Sequence, residues 1–393
     1  MDGENMNDSQ EEVVRLTQDL VRIESCNPGP CEGAMGDFVF DWFQKQGLEV
    51  ERDEVQPGRS NIVAKLEGEI ADPALVFICH MDTVPLGEDW TSDPLDPQIQ
   101  GDRMSGRGSS DMKSGLAAAM VAFRNIAKMG KKPKHTFYCI ASVDEEALML
   151  GAEKAISSGY ITSKSWVLDA EPTDGYLKMA HKGKTWFQLT VHGVPAHAST
   201  PHTGADAIGA MGEIISAIRS RIAKLPVHPV MGACSATFGL IEGGTSFNAV
   251  PEKCTVGIDM RLVPPVTNRQ TIDLVNEAVA EGTAKVPGTS CTVEITAERP
   301  FVEQHDDSYL MAQMKRAIRT VTGKEPEMDF FPGYTDSAVA AATTGNRNCM
   351  SYGPGIMGVT HRPNEYVQCS DIVRVAKVLT QAAQQILLDD PEA

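Results

Sequence analysis

In the first 180 residues, segments whose apolar positions recur with helical spacing alternate with short apolar runs that are typical of strands. The helical segments are 9–22, 33–46, 113–129 and 149–158, and the strand-like runs are 61–66, 74–81, 135–143 and 165–169. The run at 74–81 is apolar enough to form a buried central strand. Ser109 and Ser110 are the predicted N-cap candidates for the helix at 113–129. Because strands that alternate with helices are typical of α/β domains, the pattern predicts a mostly parallel sheet covered by helices.

The order of elements changes between residues 181 and 296. This segment contains the predicted strands 185–191, 234–240, 254–262 and 291–297 and the predicted helices 205–224 and 269–284. Their order, β-α-β-β-α-β, is that of a ferredoxin-like α+β domain. The alternating pattern then returns, with helices at 307–322, 335–344 and 370–388, the last capped by Ser370, and strands at 328–331 and 350–352. We therefore predict a discontinuous domain of residues 1–180 and 297–393, interrupted by an inserted domain of residues 181–296.

The charge and the cysteine pattern narrow the class of protein and its compartment. The 35 basic and 53 acidic residues give a net charge of -18, whereas nucleic acid and anionic membranes both require a basic surface. Nine cysteines without a C-x-x-C pair indicate free, mostly buried thiols in a reducing compartment. The N-terminus is acidic and polar, and no apolar run approaches the roughly 18 residues of a membrane span. We therefore predict a soluble cytoplasmic protein without nucleic-acid or membrane partners.

Polar residues with metal-binding chemistry follow predicted strands of the first domain. His80 and Asp82, in HMDTVP, follow the buried strand, and open α/β sheets bind ligands beyond the carboxyl ends of their strands. His80 can bind a metal ion through one ring nitrogen while Asp82 holds the other nitrogen. A hydrogen-bonded surface pair is the alternative. Asp111, in GRGSSDMKSG, precedes a predicted helix, where an ionised carboxylate is favoured, and a simple N-cap is its alternative.

Two further loops add carboxylates. Glu145 and Glu146 follow the strand at 135–143, and adjacent carboxylates that point in different directions suit one metal ligand beside one general base. A solvated acidic turn is the alternative for this pair. Asp169 and Glu171, in VLDAEPTDG, have the same parity along a strand, so either side chain could face the site. A turn built around the following proline and glycine is the alternative there.

A fifth loop, GVTHRPNEYV, contains His361 and Glu365, and a solvated loop histidine is its alternative explanation. Together the five loops offer two histidines and three carboxylates. This set suits two zinc-like ions that share one bridging carboxylate. A phosphate-binding loop is disfavoured because the chain has neither a G-x-G-x-x-G nor a Walker lysine pattern in this region.

The motifs HMDTVP, GRGSSDMKSG, DEE, AEPT and HRPNEY resemble in order and spacing those of a known enzyme family. It is the family of di-zinc deacylases and exopeptidases grouped with acetylornithine deacetylase, succinyl-diaminopimelate desuccinylase, aminoacylase and glutamate carboxypeptidase. The resemblance covers nearly the whole chain. It implies a mostly parallel α/β zinc-hydrolase catalytic domain and an inserted domain that acts as a lid and forms a homodimer.

The resemblance also implies a set of metal ligands. Asp111 is expected to bridge two divalent metal ions. His80 and Glu171 complete one site, and Glu146 and His361 complete the other. The ions are expected to be zinc, with cobalt or manganese as alternatives.

The roles of the neighbouring residues follow from the same resemblance. Glu145 is implied as the general base and Asp82 as the hydrogen-bond partner of the first histidine ligand. Glu171 is preferred over Asp169 because the family's ligand usually precedes Pro-Thr or Pro-Ser. The family also commonly has a cis peptide bond after the bridging aspartate, which here is the bond between residues 111 and 112.

The inserted domain and one later loop add implied contacts to the substrate. His197, in GVPAHAST, is expected to stabilise the oxyanion in a catalytic site, often that of the partner subunit. Asn248, in GGTSFNAVP, resembles a substrate contact, while Arg261 in DMRL and Gly353 in GPG resemble contacts to a substrate carboxylate. A surface histidine and a strand-surface charge are the alternatives for His197 and Arg261.

The expected activity is hydrolysis of an amide bond in a small N-acyl amino acid by a metal-activated water, with Glu145 as the general base. A carboxypeptidase or dipeptidase that acts on small peptides is the first alternative. A non-catalytic binder of amino-acid derivatives is a remote alternative, and a purely structural dimer module would leave five ordered metal-type loops unexplained. The acyl group and the amino-acid side chain of the substrate stay open.

Overall fold

The computed structural model describes residues 8–389 of the chain. The α-helices are α1 (Asp8–Val21), α2 (Gly33–Lys45), α3 (Lys113–Lys128), α4 (Leu150–Ser157), α5 (Ala207–Ile222), α6 (Asn268–Lys285), α7 (Tyr309–Thr322), α8 (Asp336–Thr344) and α9 (Cys369–Leu387). The strands are β1 (Glu49–Gln56), β2 (Arg59–Leu66), β3 (Ile70–His80), β4 (Gln98–Gln100), β5 (Arg103–Ser105), β6 (His135–Ser142), β7 (Trp166–Pro172), β8 (Leu177–His181), β9 (Gly183–His192), β10 (Ala196–His197), β11 (Ser235–Gly243), β12 (Ala249–Val250), β13 (Lys253–Leu262), β14 (Ser290–Arg299), β15 (Met328–Phe331), β16 (Cys349–Gly353) and β17 (Tyr366–Gln368). None of these helices combines the length and the hydropathy that spanning a bilayer requires.

The residues divide by their contacts into two units, each of which is described by itself. The second unit comprises Ala180–Glu303 and Pro332–Tyr334, and the first unit comprises the rest of the chain. The second unit ends at Glu303 rather than at the predicted 296. The reason is that β14 continues to Arg299 and that the next segment pairs with the start of the unit, through two backbone hydrogen bonds of 2.9 and 3.0 Å between His181 and Val302.

An eight-stranded sheet forms the centre of the first unit, with the strand order β1-β2-β6-β3-β7-β16-β8-β15. Its four middle strands, β6, β3, β7 and β16, are parallel, whereas β1, β2 and β8 pair in antiparallel fashion. The predicted α/β class with a mostly parallel sheet is therefore confirmed. The sequence pattern does not predict β1, which pairs with β2 in a hairpin. The reason is that this strand, EVERDEVQ, is largely charged and exposed at the sheet edge.

The parallel strands place their carboxyl ends at one edge of the sheet. His80 ends β3 and lies opposite Ser142, the last residue of β6, and β7 runs parallel on the other side of β3. Beneath this edge, Phe77 and Phe137 of neighbouring strands pack edge to face at 4.9 Å between ring centroids, and Phe123 of α3 stacks on Phe137 at 4.8 Å. Burial of each such ring contributes about 1.5–3 kcal/mol to the stability of the folded chain. The packed rings therefore support the loops at this edge rigidly.

The second unit is built on a four-stranded antiparallel sheet with the order β11-β13-β9-β14. Helices α5 and α6 cover one face of this sheet. They approach closely at Gly282, where an added Cβ would lie 2.4 Å from Cγ1 of Ile214. Thr267 and Gln270 form a capping box that starts α6. The chain order β9-α5-β11-β13-α6-β14 is the predicted ferredoxin-like arrangement, which is confirmed.

The predicted helix caps are wrong in two places. Helix α3 begins at Lys113, and its N-cap position is occupied by Met112 rather than by Ser109 or Ser110, without a side-chain cap. Helix α9 begins at Cys369, so Ser370 lies inside its first turn. The N–H of Ser370 donates at 2.8 Å to the carboxylate of Asp102, which satisfies the helix end from a distant turn.

All nine cysteines are free thiols in the described part of the chain, and seven of them are buried. Burial raises the pKa of the Cys369 thiol to about 11. This confirms the predicted pattern of free, mostly buried thiols.

Candidate metal centre

Five side chains predicted as metal ligands come together at the carboxyl edge of the large sheet. His80 ends β3, Asp111 lies two residues before α3, Glu146 follows β6, Glu171 lies near the end of β7 and His361 lies in the loop before β17. Their donor atoms approach one another closely enough for metal binding, and all but His361 are largely buried. The peptide bond between residues 111 and 112 is cis, as the family resemblance implied.

The contacts among these side chains form two groups that share Asp111. Nε2 of His80 lies 3.2 Å from Oδ1 of Asp111 and 3.5 Å from Oε1 of Glu171. Nε2 of His361 lies 3.2 Å from Oδ2 of Asp111 and 3.1 Å from Oε2 of Glu146. Each group contains one imidazole nitrogen and one carboxylate oxygen besides the shared aspartate. The geometry thus places two groups of possible metal ligands next to each other, one at each carboxylate oxygen of Asp111.

A bulge in β7 gives Asp169 and Glu171 different orientations, although the two residues have the same parity along the strand. Ser351 of β16 pairs with Asp169, but Gly353 pairs with Pro172, so β7 contains one extra residue between these points. The extra residue breaks the alternation of side chains. Glu171 consequently faces His80, while Asp169 turns toward α8 and accepts the N–H of Ser337 at 3.1 Å.

Asp82 contacts more than the histidine that it was predicted to hold. Nδ1 of His80 lies 2.8 Å from the backbone oxygen of Asp82 and 3.5 Å from its carboxylate. The two carboxylate oxygens of Asp82 instead accept the backbone N–H groups of Glu145 and Glu146, each at 3.2 Å. Asp82 therefore fixes the turn that presents both glutamates, in addition to its contact with the imidazole.

The charge balance of the cluster calls for bound cations. Burial opposes ionisation of Asp111, but its hydrogen bonds with His361 and His80 hold its pKa well below the usual range. Burial and the neighbouring Asp111 raise the pKa of Glu171 and of Glu146. The Oε1 atom of Glu146 is buried without a hydrogen-bond partner among the described residues. Excess buried carboxylate and an unpartnered oxygen are what a divalent cation would neutralise, so the donor set fits a metal centre.

Glu145 lies at the same cluster. One of its carboxylate oxygens is within 4.8 Å of donor atoms on His80 and Glu171. Burial, together with the nearby Glu146, raises the pKa of Glu145 well above its usual value, against the opposing effect of His80. A buried carboxyl that binds its proton more tightly than usual suits a group that accepts and later returns a proton.

A buried ion pair that the sequence did not predict joins two of the loops. Glu365, which is 1% exposed, accepts the backbone N–H groups of Ser110 and Asp111 on Oε1 at 2.9 and 3.0 Å. Its Oε2 lies 2.7 Å from Nη1 of Arg107. The strands β5 and β17 pair in antiparallel fashion, so the chain that leaves for Asp111 runs beside the chain that arrives from His361. The motif GRGSSD contains Arg107 and the motif HRPNEY contains Glu365. Their contact becomes visible only when the two motifs are seen paired in the fold.

The second unit brings His197 and Asn248 into one neighbourhood. The short strands β10 and β12 pair His197 with Ala249, and the N–H of Ala198 donates to the backbone oxygen of Asn248 at 2.9 Å. The imidazole of His197 is exposed, and its Nδ1 lies 2.7 Å from Oγ and 3.1 Å from the N–H of Ser199.

Two residues predicted to bind a substrate carboxylate have partners in the structure. Arg261 of β13 forms two hydrogen bonds of 2.9 Å with the carboxylate of Asp259, on Nε and Nη2. The N–H and C=O of Gly353 both contact the hydroxyl of Thr173, at 3.3 and 3.1 Å. The contact of Gly353 with a substrate carboxylate therefore stays a prediction. The close approach of β7, whose Ala170 oxygen would lie 1.9 Å from an added Cβ, is a structural reason for a glycine at this position.

Comparison with known proteins agrees with this geometry. The profile of the peptidase family M20/M25/M40 matches residues 76–385. A probable succinyl-diaminopimelate desuccinylase of Staphylococcus aureus (strain MRSA252) is 25% identical over 411 residues, which cover 96% of this chain and 98% of that protein. An acetylornithine deacetylase of Vibrio campbellii is 29% identical over 354 residues, which cover 88% of this chain and 89% of that protein.

A solved structure shares the fold over nearly the whole chain. The crystal structure of aminopeptidase PepT from Bacillus cereus ATCC 10987 superposes with a TM-score of 0.78, at 23% identity. The match covers 96% of this chain and 98% of that chain. The two chains therefore share this fold over nearly their whole length.

Proposed function

This chain belongs to the peptidase family M20/M25/M40 and is a metal-dependent hydrolase of amide bonds, and we propose that it removes the acyl group from a small N-acyl amino acid. The observation that carries the proposal is the pair of donor groups that share Asp111, with the buried carboxyl of Glu145 beside them. The two relatives named as a desuccinylase and a deacetylase match this chain over most of its length, which supports a deacylase.

The proposed metal centre uses five side chains of the first unit. His80 and Glu171 would hold one divalent cation, Glu146 and His361 the other, and Asp111 would contact both. When bound, such cations lower the pKa of a water molecule and polarise a carbonyl group. Imidazole and carboxylate donors suit zinc, and cobalt or manganese are the alternatives.

Glu145 is the proposed general base. It would take a proton from the attacking water and return it to the amine that leaves, so that the products are a carboxylate and an amine. The raised pKa of its carboxyl supports the first step, because a carboxylate whose pKa is raised is a stronger base. The contacts of Asp82 with the backbone of residues 145 and 146 keep this carboxyl in place.

His197 is the proposed hydrogen-bond donor to the oxyanion of the reaction. The N–H of Ser199 donates to Nδ1 of His197, so the proton of the neutral ring belongs on Nε2. A neutral imidazole that donates from Nε2 is suited to stabilising negative charge on a carbonyl oxygen. The neighbouring Asn248 is the proposed second contact to the substrate, and Arg261 the proposed contact to its free carboxylate.

The proposal is tested by metal removal and a substrate panel. The protein is stripped with a chelator and restored with zinc, cobalt or manganese. N-acetyl, N-succinyl and N-formyl amino acids are then assayed beside dipeptides by detection of the released amine. We expect activity to return at two metal ions per chain, with an N-acyl amino acid as the best substrate.

The outcomes of this panel separate the candidate activities. Preference for dipeptides would replace the deacylase with a peptidase of the same chemistry. Tight binding of two ions without turnover of any compound would favour a binding protein. Binding of no metal at all would contradict the proposed centre.

We also propose that the second unit forms a homodimer through its edge strand. Strand β11 lies at one edge of the four-stranded sheet, and its residues Leu240 and Ile241 are 75% and 66% exposed. An exposed apolar edge strand is a template for pairing with another chain. Sedimentation should give a dimer for the natural sequence and a monomer for Ile241→Lys. Val230→Lys, which changes an exposed apolar residue outside β11, should remain a dimer.

A further inference from the structure

The residue before the proposed general base has an unusual backbone conformation. Asp144 has φ = +70°, in the left-handed region that non-glycine residues seldom adopt. Its backbone oxygen accepts the N–H of Met149 at 2.6 Å, which closes the turn over residues 144–149. A conformation of this kind is strained and persists only when surrounding contacts hold it. The direction of the Glu145 side chain therefore depends on what holds Asp144.

An ion pair between a buried glutamate and a partly buried arginine, both from outside the turn, holds the backbone and the side chain of Asp144. Glu32, just before α2, accepts the backbone N–H of Asp144 on Oε1 at 2.9 Å. Arg59, at the start of β2, binds both oxygens of Glu32 at 2.6 and 2.7 Å. The same Nη2 of Arg59 lies 3.0 Å from Oδ1 of Asp144. A planar guanidinium can make these contacts at once, because its donors are arranged as a rigid fork.

The amide of Asn27 connects this arrangement to the proposed metal centre. Its Nδ2 donates at 3.0 Å to Oδ2 of Asp82 and at 3.0 Å to Oδ1 of Asp144. Asp82 in turn accepts the backbone N–H groups of Glu145 and Glu146. The turn is thus held on one side through Asp82 and on the other side through Arg59.

We propose that Arg59, acting through Glu32 and Asp144, is a positioning residue that fixes the turn carrying Glu145 and Glu146. The inference rests on the proposed role of Glu145 as general base. None of the described hydrogen bonds or ion pairs of Arg59 involves a proposed metal ligand, so its effect is transmitted through the turn. It differs in this respect from Asp82, which contacts His80 directly.

The proposal predicts that loss of the guanidinium loosens the turn without closing the substrate site. Arg59→Met should lower kcat about 10- to 100-fold, the usual effect of removing a partner that orients a reacting or ligating group, while KM stays within about twofold. Arg59→Lys should recover only part of kcat, because one ammonium cannot bind two carboxylates in the same geometry. Addition of guanidinium ion to Arg59→Ala, below unfolding concentrations, should raise kcat.

Amide hydrogen exchange gives a readout that does not depend on activity. In Arg59→Met, the amides of Glu145, Glu146 and Met149 should exchange faster than in the natural protein, because the contacts that hold the turn are weakened. Arg124→Met is the matched control. Arg124 is likewise an arginine paired with a glutamate, Glu12, but it is buried and lies on α3 away from the turn. The control should lower the melting temperature without changing kcat or exchange in residues 144–149.

The outcomes separate this inference from the proposed function. Unchanged kcat and unchanged exchange in Arg59→Met would overturn the positioning role. An equal fall of kcat in Arg124→Met would overturn it too, since the effect would then be general loss of stability. If Glu145→Gln retained natural turnover, the base assignment would fail, whereas faster exchange of residues 144–149 in Arg59→Met would still support the positioning of the turn.

Discussion

The proposed site residues of the two units differ in their burial and in the contacts that they make within their own unit. In the first unit, His80, Asp111 and Glu171 are buried and contact one another at 3.2–3.5 Å, with backbone N–H groups and a second layer of carboxylates around them. In the second unit, His197 and Asn248 are exposed, and their side-chain hydrogen bonds are with residues close in sequence. Burial and mutual contacts hold the first set of side chains in place, which suits metal binding. Exposure leaves the second set free to meet a substrate.

This difference separates the effects that substitutions should have. A change in the first unit should alter the metal centre, the stability or the proton transfer. A change at the exposed residues of the second unit should alter turnover or substrate affinity and leave metal binding and stability unchanged. Each of the following predictions tests one side of that contrast.

The largest effect is expected for Glu145→Gln. The amide cannot accept a proton from water, so kcat should fall about 10²- to 10⁴-fold. The ions should remain bound, because Glu145 is not a proposed ligand. Steady-state kinetics together with metal analysis of the purified variant measure both quantities. Glu153→Gln, an exposed acidic residue of α4, should behave like the natural protein. Loss of both ions in Glu145→Gln would make this residue a ligand instead.

The next effect is expected for His197→Ala in the second unit. Removal of the Nε2 donor should lower kcat about 10²- to 10³-fold, as for other oxyanion donors. Metal content and melting temperature should not change, because the ring is exposed and contacts only Ser199 in the described structure. His202→Ala is the control, since His202 is an exposed histidine of the same region. A variant that turns over normally would remove His197 from the reaction.

A smaller effect on metal affinity is expected for Glu365→Gln. The side-chain amide can still accept the N–H groups of Ser110 and Asp111, but Arg107 would lose its charged partner. We expect about 10- to 100-fold weaker metal binding in chelator competition, as for other partners that orient a ligand. A buried arginine left without its partner also lowers stability, by about 3–5 kcal/mol.

The double variant Arg107→Met with Glu365→Gln separates these two consequences. It should regain part of the stability, because the unpaired charge is gone, while the weaker metal affinity should persist. Recovery of both properties would mean that Glu365 acts only on stability and does not orient the loop of Asp111.

The smallest effect is expected at Arg261. If its guanidinium binds the carboxylate of the substrate, Arg261→Met should raise KM about tenfold, which is the usual contribution of a hydrogen bond to a charged group. The rise should be absent for substrates whose carboxylate is blocked as an amide. Asp259→Asn should lower KM, because Asp259 competes for the same donors. Equal KM values for free and blocked substrates in the natural protein would exclude this contact.

Local sequence patterns are enough to predict the order of the elements, the interrupted domain and the residue types at the strand ends. Helical and strand periods are local properties, so α3, β3 and the elements of the inserted unit are predicted within a few residues. The exceptions have physical reasons. Strand β1 is charged at a sheet edge, and the first turn of α9 is held by Asp102 from another part of the chain.

The orientations and partners of the candidate residues depend on tertiary packing. The bulge in β7 turns Glu171 toward His80 and Asp169 away from it, although the two residues have the same parity in sequence. The pairs Arg107–Glu365 and Arg59–Glu32 join residues that are 258 and 27 positions apart. Such contacts depend on how strands pair and loops pack, and no local period records them. The motifs therefore indicate which residue types carry the chemistry of this protein, whereas the positions of those side chains are fixed only in the folded chain.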